Sequence, residues 1–141
     1  MLDMGKAWDG IHFLLTSQKA FTYNSPKRGE RYLPPLESIV VGGTPFDHPD
    51  LDIAYFTSEQ TVEIADALRD RPVEFVKESF DLASFRNARL YFFDQYLPAT
   101  HKDSEEIEEI LDEELFQYYE EMIEFFNEAV QSRDSILLYM G

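Results

Sequence analysis

The chain has 141 residues, 44% of them hydrophobic, so it is long and apolar enough to form one domain with a buried core. It contains no cysteine, which excludes disulfides, zinc–thiolate sites and cysteine nucleophiles. A net charge of −16 disfavours nucleic acid and anionic membrane surfaces as partners, because both would repel it.

The first predicted element is a helix over Leu2–Leu15, where apolar residues recur at helical spacing. Gly10 weakens this helix by about 1 kcal/mol relative to alanine and indicates a close approach by another backbone. A loop over residues 17–35 follows, and it holds the only basic cluster, formed by Lys27, Arg28 and Arg31. Pro35 and the glycine pair Gly42-Gly43 then favour a short helix over Leu36–Val41, with a buried strand as the alternative.

The middle of the chain reads as a strand followed by several helices. Leu51–Phe56 predicts a strand, and Thr57 with Gln60 forms a capping-box pattern that opens a helix through about Arg69. Four of its residues are predicted to face inward: Val62, Ile64, Ala65 and Leu68. Pro72 and Asp81 are predicted to open two short helices, ending near Phe80 and Arg89, before the aromatic run Leu90–Tyr96.

A long acidic helix beginning at Ser104 is the next prediction. Residues 103–128 hold 12 acidic residues and no basic one, so the rest of the chain has a net charge of only −4. Its predicted apolar stripe is Ile107, Leu111, Leu115, Tyr118, Met122, Phe125 and Ala129. The nearly all-apolar segment Ser135–Met140 predicts a closing strand at the centre of its sheet.

These elements predict an α+β fold in a single domain over residues 1–141. We expect a small mixed sheet, including Leu51–Phe56 and Ile136–Met140, packed by three to five helices. The long acidic helix should lie over one sheet face and be followed by the C-terminal strand. No signal peptide or membrane-spanning run is evident in the sequence, so we expect a cytoplasmic protein.

Trp8, Asp9 and His12 are the candidate ligand-binding residues. Trp8 and His12 are four residues apart and share a helix face, and Asp9 is close enough to orient the His12 imidazole. A catalytic site would need a third member, and the sequence offers no obvious one. The favoured interpretation is therefore structural, with His12 packing against Trp8, and no catalytic residue is predicted.

The remaining polar patterns indicate no metal and no cofactor. Residues 47–52, "DHPDLD", are rich in carboxylates, but their spacing does not match a calcium loop, so a solvated turn is favoured. His101 lies in a polar linker and is interpreted as a surface residue. Gly42-Gly43 alone is a weak phosphate signal, and the aromatic run Tyr91–Tyr96 is more typical of core or interface packing than of base stacking.

The segment "LDMGKAWDGIHFLLT" over residues 2–16 resembles the helix that marks the YfbM-like family of bacterial domains of unknown function. Further segments are similar to that family in the same order: "PLESIVVGG", "AYFTSEQTVEIADAL", "DLASFRNARLY" and "FFNEAVQSRDSILLYMG". The resemblance implies an α+β fold and a bacterial cytoplasmic protein, and it supplies no established activity or catalytic residue. Two departures are the absence of the family's N-terminal strand and helix, and Phe92 where the family tends to have proline.

Two functions follow as hypotheses. The first is a non-catalytic binding or protein-interaction domain, in one version immunity-like, which masks a basic protein partner with its acidic helix. The alternative is a small-ligand-binding enzyme or hydrolase that uses Asp9 and His12 in a cleft. If a sheet edge is open, we also expect it to pair with a second copy as a homodimer.

Overall fold

The computed structural model describes residue 2 and residues 4–20, 33–50, 52–96 and 103–140. Its helices are α1 (Trp8–Thr16), α2 (Pro35–Val41), α3 (Ser58–Arg69), α4 (Val73–Glu78), α5 (Leu82–Asn87), α6 (Tyr91–Tyr96), α7 (Ser104–Leu111) and α8 (Gln117–Ser132). A π-helical turn over Asp112–Phe116 joins α7 to α8, and the strands are β1 (Thr44–Phe46), β2 (Asp52–Phe56) and β3 (Ile136–Met140). The predicted basic cluster and His101 lie outside the described residues.

The predicted α+β class is confirmed, and two of its details are corrected. The three strands pair in the order β1-β2-β3 and both pairings are antiparallel, so the described sheet is not mixed. The described part of the chain has eight α-helices, rather than three to five. None of these helices is both long enough and apolar enough to cross a membrane.

The closing strand β3 lies at the edge of the described sheet, so its predicted central position is wrong. β1 and β2 form a hairpin, and β1 therefore occupies the side of β2 that faces away from β3. Ile136 is buried while Leu137 is 66% exposed, which gives β3 one face in the core and one in solvent. Its high apolar content thus does not come from burial on both faces.

The helix α1 begins at Trp8, six residues later than the predicted start at Leu2. Gly5 has a left-handed φ of +53°, and the Ala7 amide donates to the Met4 carbonyl at 2.9 Å, so a turn precedes the helix. Gly10 is buried within α1, and a Cβ placed there would lie 2.9 Å from Leu115 Cδ1. The groups that approach Gly10 are therefore core side chains and not a backbone.

The predicted position of α2 and the predicted capping box of α3 are confirmed. Pro35 opens α2, and the helix ends before Gly42. Thr57 Oγ1 accepts from the Gln60 amide, while Gln60 Oε1 accepts from the Thr57 amide, which completes the capping box. The inward position predicted for Val62 is wrong, because its side chain is 41% exposed.

The long acidic helix is confirmed, but its buried stripe changes within the π-helical turn. The inward side chains are Leu111, Leu115, Phe116, Tyr119, Met122, Phe126 and Ala129. Beyond the π-helical turn, Met122 and Ala129 are buried as predicted. Tyr119 and Phe126 are buried in place of Tyr118 and Phe125, which are only partly buried. α8 packs on α3 and reaches the sheet through the Phe126 ring, whose centroid lies 6.5 Å from that of Phe56.

Candidate functional site

Asp9 accepts hydrogen bonds from the N-terminus of a helix that is distant in sequence. The Tyr91 amide donates to Asp9 Oδ2, and the Phe92 amide donates to Asp9 Oδ1 at 3.3 Å. These are the first two amides of α6, which have no partner within their own helix. Asp9, on α1, therefore caps α6 from across the fold.

Two neighbours of Asp9 tie the same helices together. The rings of Trp8 and Tyr91 stack with centroids 6.2 Å apart and an interplanar angle of 26°. Lys6 Nζ donates to Gln95 Oε1 at 2.9 Å. A ring stack, a cap and a polar contact thus fasten the start of α1 to α6.

The Asp9 carboxylate lies in a poorly hydrated environment. Asp9 is 5% exposed, and this burial raises the pKa of its carboxyl group above the ordinary value of 3.8. The hydrogen bonds from the Tyr91 and Phe92 amides act in the opposite direction and favour the charged carboxylate. Both oxygen atoms are already engaged by α6, so the geometry is that of a buried structural cap.

His12 is buried one turn further along α1, with 4% of its surface exposed. Its Nδ1 atom has no hydrogen-bond partner among the described residues. Burial lowers the pKa of His12 below its ordinary value, which favours the neutral imidazole. Both carboxylate oxygens of Asp9 accept from α6, and no hydrogen bond joins Asp9 to His12 within the described part of the chain. The ligand-binding role of Trp8, Asp9 and His12 stays a prediction.

The acidic helix presents a second candidate site, which we call the acidic surface: the carboxylates of residues 103–128. Eleven of these twelve acidic residues are exposed, and Glu114 is half-buried. The one ion pair that joins the acidic surface to a described cation runs from Lys77 Nζ to Asp112 Oδ1 at 3.5 Å. The apolar stripe faces the core, so the charges point outward along the whole helix.

The carboxylate-rich segment of residues 47–52 connects β1 to β2. Asp47, His48 and Asp50 are exposed, and the Asp50 amide donates to His48 Nδ1 at 3.2 Å. Across the described residues, no group of three or more histidine, aspartate or glutamate side chains is placed to hold a metal ion.

A cavity of about 250 Å³ lies between α2, β1, β2 and α3. Its wall includes the Gly42-Gly43 pair, and Gln60 and Glu63 of α3 line it as well. Gly43 has a left-handed φ of +87°, and a Cβ there would lie 3.1 Å from the Tyr55 carbonyl oxygen. The sequence showed the glycine pair, but the helix and strand that complete the cavity come from segments too far apart for local patterns to connect.

The sequence model of one family, described as "Domain of unknown function (DUF1877)", matches residues 1–139 of this chain. The chain belongs to this family. The match spans every helix and nearly all of the strands, so α1, the acidic helix and β3 all belong to the DUF1877 domain. No curated protein and no solved structure matches the chain. The absence of an N-terminal strand and helix, inferred from the YfbM-like resemblance, stays a prediction.

Proposed function

We propose that this DUF1877 domain is a non-catalytic protein-interaction domain that binds a basic protein through its acidic surface. The observation that carries the proposal is the exposure of eleven carboxylates along one continuous helix and its N-cap, with a single ion pair to a described cation. A helix from Ser104 to Ser132 is roughly 40 Å long at 1.5 Å per residue. That length matches the width of a small partner domain.

The spacing of the glutamates in α8 destabilises this helix, which supports a role in binding rather than in stability. Glu120, Glu124 and Glu128 follow one another at intervals of four residues, so like charges face each other on adjacent turns. Each such pair destabilises a helix by about 0.2–0.5 kcal/mol. A surface that costs stability is typical of a binding site, where activity and stability compete.

Electrostatic attraction explains what the acidic surface would recognise. A partner with clustered lysine or arginine residues would be steered toward it and would associate faster at low ionic strength. The partner's charges would also relieve the repulsion between adjacent turns. The proposal includes the immunity-like version, in which the domain masks the basic surface of another protein.

The finer family placement is part of the same proposal. The segment over residues 2–16 supports assignment to the YfbM-like group, and with it a bacterial and cytoplasmic protein. The match to the DUF1877 model is consistent with that placement.

Capture experiments with matched charge variants test the proposal. The helix variant E120Q/E124Q/E128Q and the control variant E59Q/E74Q/E78Q change the net charge equally, and all six positions are exposed. Basic proteins should be retained by the wild type and the control variant at about 50 mM salt, and released at about 300 mM. The helix variant should lose them at both concentrations. Equal retention by the helix variant would refute the proposal.

The alternative, an enzyme or hydrolase using Asp9 and His12, has weaker support. The unpartnered Nδ1 of His12 is the observation in its favour. Against it, both residues are at most 5% exposed, and the carboxylate of Asp9 is bound by two amides of α6. Ethoxycarbonylation of His12 by diethyl pyrocarbonate in the folded protein, faster than that of His48, would favour this alternative.

A further inference from the structure

We infer that the cavity between α2, β1, β2 and α3 is a binding site for a small organic cation with a short apolar stem, such as an alkylammonium ion. This inference does not depend on the acidic surface or on its partner. The argument comes from the size of the cavity, the chemistry of its wall and the charge at its rim.

The cavity has the size of a small ligand, and part of its wall is apolar. Its volume of about 250 Å³ equals the liquid volume of about eight waters and lies just below the range of typical ligand pockets. Pro35, Phe56 and Ile64 supply apolar wall, and the last two are at most 2% exposed. Such a wall favours a hydrocarbon stem over a fully polar molecule.

The charged group in the cavity wall is a carboxylate. Glu63 lines the cavity and is exposed, and it forms no hydrogen bond or ion pair with another described residue. No lysine or arginine is among the described lining residues. A cation entering the cavity would therefore meet a counter-charge in Glu63, whereas an anion would be repelled by this carboxylate.

The other polar groups of the wall include an acceptor that an ammonium group could use. Ser38 Oγ donates its hydrogen to the Pro35 carbonyl at 2.8 Å, which leaves its lone pairs as acceptors. Gln60 Oε1 already accepts from the Thr57 amide, so the side-chain amide of Gln60 contributes donors to the wall. An ammonium group has three donors and no acceptor, so it complements the Glu63 carboxylate and the Ser38 hydroxyl.

Titration with three molecules of similar shape tests the inference. Pentylammonium, 1-pentanol and pentanoate share a five-carbon stem and differ in charge. Binding is read by amide NMR shifts of Gly42, Gly43 and Ile64 in the full chain. Pentylammonium should move these signals with a dissociation constant on the order of 1 mM, and pentanoate should not.

Charge variants show whether the effect comes from Glu63. E63Q should weaken pentylammonium binding about three- to fivefold, and E74Q, an exposed control on α4, should leave it unchanged. E63K should reverse the charge preference of the cavity, so that pentanoate binds better than pentylammonium. The inference is overturned if the three molecules bind alike, if none moves these signals, or if E63Q and E74Q behave identically. None of these outcomes bears on capture of a basic protein by the acidic surface.

Discussion

At the scale of single residues, Asp9 shows how a motif that resembles a catalytic pair can serve the fold. Its carboxylate is buried, yet it accepts hydrogen bonds from the Tyr91 and Phe92 amides. A buried amide without a partner costs about 1–3 kcal/mol, so the cap offsets the cost of placing a carboxylate in the core. Asp9 thus contributes to the position of α6, together with the Trp8–Tyr91 stack and the Lys6–Gln95 hydrogen bond.

Removal of this cap should be costly. We expect Asp9→Ala to lower the free energy of unfolding by about 2–4 kcal/mol, because two amides of α6 lose their partner. Asp103→Ala is the matched control, since Asp103 is an exposed cap that accepts from the Glu106 amide at 2.9 Å. Asp103→Ala should lower the free energy of unfolding by about 1 kcal/mol. Urea unfolding at neutral pH measures both values, and equal losses would contradict a tertiary role for Asp9.

His12 should make stability depend on pH. Burial lowers its pKa in the folded state below the ordinary 6.5, so the unfolded chain binds more protons as the pH falls through that value. Stability from His12 is therefore lost on acidification. The raised pKa of Asp9 has the opposite sign, because the folded state binds this proton more tightly, so stability from Asp9 falls as the pH rises above 3.8.

The variant His12→Phe isolates this contribution. Between about pH 7.5 and pH 5.5, the unfolding free energy of the wild type should fall more steeply than that of His12→Phe, which keeps a planar ring without a titrating group. Denaturant unfolding across this range gives the two curves. Parallel curves would show that the imidazole is protonated as easily in the folded protein as in the unfolded chain.

At the scale of elements, the acidic helix keeps one buried stripe across the π-helical turn over Asp112–Phe116. Leu115, Tyr119, Met122 and Phe126 follow one another at intervals of three or four residues, and Phe126 is 1% exposed. Phe126, rather than the predicted Phe125, therefore faces the core. This stripe fixes the direction in which the glutamates of α8 point.

Truncation of the two phenylalanines tests this register. Phe126→Ala should destabilise the protein by about 3–5 kcal/mol, as expected for a fully buried aromatic residue. Phe125→Ala should cost about 1–2 kcal/mol, since Phe125 is only partly buried. Urea unfolding distinguishes the two, and a larger loss for Phe125→Ala would show that Phe125, rather than Phe126, faces the core.

The elements that the sequence predicted well are those whose signals are local. Thr57 with Gln60, Pro35 before Gly42, and Asp81, whose carboxylate accepts from the Ala83 amide, each act within a few residues. The α6 cap could not be predicted, because Asp9 and Tyr91 are 82 positions apart.

The edge position of β3 and the cavity were missed for a related reason. The order of strands depends on which segments pair, and an apolar run such as Ile136–Met140 gives the same signal at a centre or at an edge. The cavity needs α2, the β1–β2 hairpin and α3 together. Periodicity within one segment contains no information on such an assembly.

At the scale of the whole molecule, charge and apolar surface are separated. The acidic surface holds 12 of the 28 acidic residues, whereas the outer face of the sheet exposes Phe46 and Leu137. β3 has no charged residue and no proline, and its outer edge is unpaired among the described strands. Such an edge is a template for strand addition.

We therefore expect β3 to pair with β3 of a second copy. Sedimentation equilibrium should show a dimer for the wild type, and Leu137→Lys should shift it toward the monomer, because an edge lysine opposes strand addition. Val62→Lys, which places the same charge on an exposed apolar position of α3, should leave the dimer unchanged. A wild type that stays monomeric at every concentration would contradict pairing through this edge.

The most direct test of the proposed function is to locate the partner on the surface of the domain by photo-crosslinking. A crosslinking amino acid at Gln117 or at Asn127 leaves every carboxylate in place, because both positions are neutral and exposed within the acidic helix. Phe46, on the outer face of the sheet, is the control position. The account predicts crosslinks to a basic protein from both helix positions and none from position 46. Crosslinks from position 46 with none from the helix would contradict it.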